Sequence, residues 1–433
     1  MDKRILLSLA ASAVLLTVCG CDIVSAAAND VDGPGGPNLK LTGTTKDGSY
    51  IPFEDFLGVS CSQAKAKAED AYNYFIKKLY KEVPGDSSMA YILDNYNDEI
   101  RSEGMSYGMM LAVQMNDKTR FKKLWKLAKN KMQYESGHKY EGFFCWHLYG
   151  SGDKFLEKMS LGMAPDGEIY FASALIMAYN RWGTTEYKSA ATDLLLKMIN
   201  YSSSDKNDTN FFYTDYLVKH WPTNNGSWER TNPSYHLPAF FQQFISFLPN
   251  TDQYPKIRYA NIRDKSRYFL KKCLEQSDYR LPPDVSDENG VGKDWEGDGK
   301  EFAHDAWRVA MNITLDADWN GINPYGRDWL NDYAKRLCDF FESKNSSGKR
   351  DYKDQWYTDG KPYKNQDGHK IGLVATNAMV SCLLPDYMGM KHLQAKRFMQ
   401  EIWDYDITKE SNYYNICLYA FAMLWGAGEY NLY

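Results

Sequence analysis

Three carboxylates in this chain sit where composition alone gives them little reason to be. Glu103 stands in Asp98-Glu99-Ile100-Arg101-Ser102-Glu103-Gly104-Met105-Ser106-Tyr107-Gly108-Met109-Met110, where charge runs straight into small and methionine residues. Asp166 stands in Ala164-Pro165-Asp166-Gly167-Glu168. Asp305 interrupts the largely apolar run Phe302-Ala303-His304-Asp305-Ala306-Trp307-Arg308-Val309-Ala310-Met311-Asn312. Two carboxylates facing each other over a polar, aromatic cleft are what glycosidic hydrolysis needs. One stays protonated and gives its proton to the leaving oxygen; the other is ionised and activates water or attacks carbon. A third can hold ring hydroxyls. Glu103, among Met and Tyr, is the candidate for a raised pKa, and Asp305, beside Arg308, for the ionised partner. Plainer readings exist for both. A glutamate at a helix start also serves as a capping partner, and Asp305 with Arg308 also reads as a structural ion pair in a core.

The element that must position Glu103 is a helix. Ser102 is a good N-cap, and Met105, Met109, Leu111, Ala112 and Met115 recur at helical spacing. Glu103 then falls in the first turn, where free N–H groups and the helix dipole favour an anion. Gly104 and Gly108 each cost roughly 1 kcal/mol relative to alanine inside a helix, so close approach to that backbone is expected. Asp305, Arg308 and Asn312 are spaced to share one face of a second helix.

Helical patterning repeats about twelve times along the chain. Six segments are small-residue rich and apolar nearly all round, each entered through an unusual motif: Ser102–Met115, Glu168–Trp182, Leu237–Leu248, Glu301–Thr314, Leu373–Leu384 and Asn412–Ala427. Six alternate with them and are ordinary amphipathic helices: Ser62–Lys81, Lys118–Met132, Glu186–Met198, Asp252–Gln276, Arg327–Lys344 and Met390–Trp403. Helices apolar all round belong inside. The alternation predicts an all-α (α/α)6 barrel, six inner and six outer helices, with its cleft at the N-terminal end of the inner ones. No strand ladder stands beside them. Short strands in the loops are expected at most, for example around Phe211–Tyr216.

Composition narrows the classes. The chain has 433 residues, 44% of them hydrophobic, ample for a large core. A net charge of −5 gives no reason to expect nucleic acid or an anionic membrane as partner. Aromatics reach 15%, which suits either a large helical core or stacking against sugar rings. Lys3 and Arg4 precede an apolar run from Ile5 to Val18 that reads as a secretory signal. Val18-Cys19-Gly20-Cys21 then resembles a lipobox with lipid on Cys21, placing residues 1–21 as leader; cleavage near Ala26-Ala27-Ala28 is the alternative. An exported protein, periplasmic or lipid-anchored, is expected. Residues 22–57 are expected to be a flexible tether, and 58–433 a single catalytic domain, monomeric. Cys338, Cys382 and Cys417 read as buried thiols. No C-x-x-C or zinc pattern is present, and no cofactor or metal is expected.

Four stretches in order carry a resemblance: Glu103-Gly104-Met105-Ser106-Tyr107-Gly108-Met109-Met110, Pro165-Asp166-Gly167-Glu168, Asn232-Pro233-Ser234-Tyr235-His236-Leu237-Pro238-Ala239-Phe240 and Asp305-Ala306-Trp307-Arg308. They resemble glycoside hydrolase family 8, most of all its reducing-end xylose-releasing branch, over roughly Gly58 to Tyr433. The resemblance implies an (α/α)6 barrel and an inverting mechanism on β-1,4-linked glycans. It implies Glu103 as general acid, Asp305 as general base and Asp166 at the sugar beside the scissile bond. Tyr235, Arg308 and Trp146 would position that sugar and the water. Endoglucanase members usually carry Ser or Thr before the third acid and a second Asp two residues after it. Pro165 and Glu168 stand there instead, which agrees with the xylose-releasing branch. That branch closes one end of the cleft with a loop histidine, and Gly368-His369-Lys370 occupies the place without the usual Leu-His-Pro. His369 is therefore expected at the reducing-end sugar, the alternative being a solvated loop residue. The expected activity is release of xylose from the reducing end of β-1,4-xylooligosaccharides. An endo-acting xylanase or glucanase, and a lipid-anchored oligosaccharide-binding protein, are the other readings.

Overall fold

The computed structural model describes residues 44–200, 210–222, 230–294, 299–386 and 390–433. Its helices and short strands run, in chain order, α1 (Pro52–Leu57), α2 (Cys61–Leu79), β1 (Tyr80–Val83), β2 (Asp86–Ile92), β3 (Glu99–Arg101), α3 (Ser102–Gln114), α4 (Lys118–Leu127), β4 (His147–Tyr149), α5 (Pro165–Trp182) and α6 (Thr185–Ile199). They continue with α7 (Pro238–Phe247), α8 (Gln253–Glu275), β5 (Glu301–Phe302), α9 (Arg308–Asn320), α10 (Arg327–Ser343), β6 (Trp356–Tyr357), α11 (Ile371–Ser381), α12 (Leu393–Asp404) and α13 (Tyr413–Gly426).

The odd helices from α3 to α13 form a closed inner ring. Each packs on the next, α3 on α5, α5 on α7, α7 on α9, α9 on α11 and α11 on α13, and α13 returns to α3. Their sequences explain this. Every residue of α11 is buried, and α13 buries all but Tyr414. No single face of such a helix can be left to water, so it needs neighbours on every side. The even helices pack outside them: α4 on α3, α6 on α5, α8 on α7, α12 on α11 and α2 on α13. These bury one stripe, as α10 does with Leu330, Tyr333, Ala334, Leu337, Cys338, Phe340 and Phe341. The fold is an (α/α)6 barrel.

The two glycines of α3 let neighbours approach its backbone closely. A Cβ on Gly108 would lie 2.6 Å from Ile92 Cγ1, and one on Gly104 2.6 Å from the Tyr413 hydroxyl. Cys338, Cys382 and Cys417 are buried free thiols.

Several local expectations are corrected. Ser102 is not the N-cap; Arg101 holds that position and Ser102 is the first helical residue, because β3 pairs with β4 up to Arg101 and only then can the chain turn. The segment from Glu301 is not helical at its start. Glu301 and Phe302 pair with Tyr357 and Trp356, a 3-10 turn covers His304–Trp307, and α9 begins at Arg308. Asp305 and Arg308 are therefore neighbours across a turn. Near Phe211–Tyr216 there is one isolated bridge, Phe212 to Val218.

The tether expected over 22–57 is corrected from residue 44 onward. Thr45 is fully buried; its N–H donates to Asp318 Oδ1 at 3.0 Å and its hydroxyl to Asp318 Oδ2. Phe53 of α1 is fully buried. Asn431 Nδ2 donates to the Thr45 carbonyl at 2.6 Å. The first described residues thus seal the end of the barrel where α9 terminates, opposite the N-terminal ends of the inner helices. The leader, Cys21 and the rest of the tether lie outside the described residues.

Candidate active site

Entrances to four of the six inner helices, α3, α9, α11 and α13, line one cleft, a cavity of about 410 Å³. Arg101 and Glu103 come from the start of α3, His304, Asp305 and Trp307 from the start of α9, Asp367 and Lys370 from before α11, and Tyr413 and Tyr414 from α13. Two of the short sheets brace it. The β3–β4 pair fixes the approach to Glu103, and the β5–β6 pair fixes the approach to Asp305.

Arg308 is the hub. Its Nη1 donates to Glu103 Oε2, to Asp166 Oδ2 and to the Tyr107 hydroxyl, each at 2.8 Å. Its Nη2 donates to Ser234 Oγ at 2.8 Å and lies 2.7 Å from Asp305 Oδ2. One buried guanidinium therefore holds all three carboxylates. A rigid fork of this kind limits the Glu103 and Asp305 oxygens it binds to a separation within roughly 8 Å, the reach of two acids serving one glycosidic bond.

The carboxylates differ in surroundings. Glu103 also accepts from the Tyr413 hydroxyl at 2.9 Å, and its side chain is 13% exposed. Burial pushes its pKa up to about 7; Arg308 pulls down, while Asp166 and Asp305 push up again. Asp166 follows Pro165 in the first turn of α5, and its Oδ1 accepts from the Gly167 N–H at 2.8 Å. Burial raises its pKa too, against the pull of Arg308. Asp305 is the most open of the three, with 27% of its side chain exposed, and Asn232 Nδ2 donates to it at 3.0 Å. The arrangement offers an acid able to carry a proton at neutral pH, facing an ion-paired carboxylate that water can reach.

The other expected site residues divide. Tyr235 is buried, with its ring 5.8 Å from the Arg308 guanidinium carbon. Trp146 lies beside the start of α3: its carbonyl accepts from the Ser102 N–H at 2.8 Å, and the Arg101 guanidinium carbon stands 5.9 Å from its ring. His369 does not join them. Its Nε2 pairs with Glu401 Oε1 of α12 at 2.6 Å, its Nδ1 bonds the Tyr352 carbonyl at 2.9 Å, and its ring sits edge-on to Tyr352. Expected at the sugar, it is instead committed on both ring nitrogens within the protein, to α12 and to the loop that follows α10, while Asp367 and Lys370 on either side of Gly368-His369 line the cleft.

Sequence reasoning missed Tyr413 and Tyr414, although Ser411-Asn412-Tyr413-Tyr414 opens an inner helix as the other motifs do. It also missed Asp284, whose Oδ1 accepts from the Ala306 N–H at 3.2 Å. Burial and the nearby Asp305 and Glu301 hold that carboxyl's pKa well above the usual range. Nothing in the loop sequence around Asp284 signals this. Among the described residues, no group of three or more His, Cys, Asp and Glu side chains is placed to hold a metal ion.

The family model for glycosyl hydrolases family 8 matches residues 62–428. The chain belongs to this family. It is 32% identical over 408 residues to the reducing-end xylose-releasing exo-oligoxylanase Rex8A of Paenibacillus barcinonensis, covering 92% of this chain and 100% of that protein. It is 33% identical over 392 residues to the reducing end xylose-releasing exo-oligoxylanase of Halalkalibacterium halodurans, covering 88% and 93%. Endoglucanase C of Ruminiclostridium cellulolyticum is 26% identical over 362 residues, covering 82% of this chain and 68% of that one. The structure of Rex8A complexed with xylose superposes with a TM-score of 0.76 at 30% identity, covering 90% of this chain and 99% of that chain. This family 8 member is a glycoside hydrolase.

Proposed function

We propose that the enzyme releases xylose from the reducing end of β-1,4-xylooligosaccharides with inversion, as a step in xylan degradation. The observation that carries the hydrolytic part is the pairing of Glu103, raised to about 7, with Asp305 on the two arms of Arg308. Glu103 gives its proton to the leaving glycosidic oxygen. Asp305 takes a proton from the attacking water on the opposite face of the sugar. Asp166, on the same guanidinium, holds hydroxyls of the sugar beside the bond being cut. Each acid–base step of this kind is worth about 10²–10⁴ in rate. Substrate preference is supported by the two relatives at 32% and 33% identity, both named as reducing-end xylose-releasing exo-oligoxylanases. An exported protein, lipidated at Cys21, fits the sequence of the leader. Incubation with xylotriose and its borohydride-reduced alditol, followed by anomeric NMR, tests the reading. Xylose from the reducing end, together with xylobiose whose newly formed anomeric centre is first seen as α, is the expected outcome. Equal hydrolysis of the alditol, or a first-formed β-anomer, would overturn it.

The endo-acting alternative is favoured by one observation, the likeness to an endoglucanase over 82% of this chain. A fall in viscosity of xylan or of a soluble glucan ahead of reducing-sugar release is its signature.

A further inference from the structure

One cleft group has no part in the chemistry above. His304 immediately precedes Asp305 and is exposed between buried Ala303 and Ala306, within the wall of the cleft. Its φ of +38° lies in the left-handed region, where a histidine is strained. Such strain persists only where the surroundings over-determine it, and it concentrates at sites that bind or react. Here the surroundings are visible. The β5–β6 pair fixes Glu301 and Phe302 just before it, the Tyr414 hydroxyl donates to its carbonyl at 3.0 Å, and its ring lies 5.6 Å from that of Trp307. The backbone is thus clamped in a conformation that presents the ring beside the base. On the ring, Gln355 Nε2 reaches Nε2 only at a long 3.5 Å. An imidazole offers one donor and one acceptor, and a sugar hydroxyl can take either.

We infer that His304, and not His369, is the histidine that grips bound sugar, hydrogen-bonding a hydroxyl of the xylose unit lodged between Asp305 and the Gln355–Asp367 side of the cleft. The contrast between the two histidines carries this: one has both ring nitrogens committed inside the protein, the other is held open in the cleft by a strained backbone. The inference rests on reading the cleft as a xylooligosaccharide site, and not on which end of the chain is trimmed.

The test is kinetics on xylotriose and calorimetric binding of xylobiose for wild type, His304→Gly, His304→Asn and His369→Ala, each with its Tm. Glycine accepts the left-handed backbone, so His304→Gly removes the ring without a folding penalty from that conformation. Expected are a tenfold or greater rise in KM for His304→Gly with kcat within threefold, matching weaker xylobiose binding, and partial recovery in His304→Asn. His369→Ala is expected to keep KM within twofold and to lower Tm. An unchanged KM and xylobiose affinity in His304→Gly, or a KM rise in His369→Ala at unchanged Tm, would overturn the inference. Wild type that hydrolyses reduced xylotriose as fast as xylotriose would sink the reducing-end reading alone; the variants' KM on xylotriose still decides His304.

Discussion

Arg308 and Glu103 are 205 positions apart in the chain and 2.8 Å apart in the fold. That bond opposes the burial that raises the Glu103 proton affinity. Replacing Arg308 by Lys removes the second arm of the fork and leaves buried carboxylates short of a partner, at a cost of about 3–5 kcal/mol when such a pair is broken. We expect kcat to fall at least a hundredfold, and the alkaline limb of any residual activity to move above its wild-type position. A limb that moves to lower pH would contradict the part given to Arg308.

The wild-type pH profile follows from the same group. The acid works only while protonated, and its pKa is about 7. Activity is expected to hold below that pH until the base is protonated, then to drop as pH climbs through about 7, approaching tenfold per further unit. Titration of kcat with xylotriose from pH 4 to 9 measures this. Full activity at pH 9 would mean that Glu103 is not the proton donor.

The two carboxylates are separable by leaving group. Glu103→Gln should lose about 10²–10⁴ in kcat on xylotriose, yet retain most activity on a xylobiosyl fluoride, whose leaving group needs little protonation. Asp305→Asn should lose activity on both. Equal loss on the fluoride in the two variants would reverse or remove the assignment.

Gly104 leaves the space into which Tyr413 reaches Glu103. An alanine Cβ would meet the Tyr413 hydroxyl at 2.6 Å and its Cε2 at 2.9 Å, and the ring is 3% exposed with little room to retreat. Gly104→Ala is expected to destabilise by about 1–3 kcal/mol, the usual cost of overpacking, and to lower kcat about tenfold. Tyr413→Phe should give the kcat loss with less of the destabilisation. Calorimetry and initial rates distinguish the two.

Thr45→Val tests the far end of the barrel. It removes the hydroxyl donated to buried Asp318, which keeps the Thr45 N–H at 3.0 Å and Trp425 Nε1 at 3.0 Å. A buried carboxylate short of a donor costs about 1–3 kcal/mol. A lower Tm with unchanged kcat at 25 °C is expected, since the cleft lies at the other end.

The barrel was readable because its signal is periodic. Helices such as Ile371–Ser381 show apolar residues on every side, and helices such as Arg327–Ser343 on one, so layer and order follow from spacing. The positions of Glu103, Asp166 and Asp305 at helix entrances were readable for the same reason. What each side chain faces was not. His369 is turned by Glu401, 32 residues on in an outer helix, and no local pattern encodes that pull. His304 is exposed by a left-handed backbone in a stretch that reads as helix. Thr45 sits in Gly-, Thr- and Asp-rich sequence that looks like linker, yet a single buried aspartate from α9 captures it. Asp284 is brought to the base by a loop with no periodicity at all.

Tyr413, in the last helix, supplies a hydrogen bond to an acid 310 residues earlier, and that helix also completes the ring against α3. A ribosome must therefore reach residue 413 before the proton donor has its full environment. A chain clipped ahead of residue 413 would keep Glu103, Asp166 and Asp305 yet lose both that hydrogen bond and the helix that closes the inner ring.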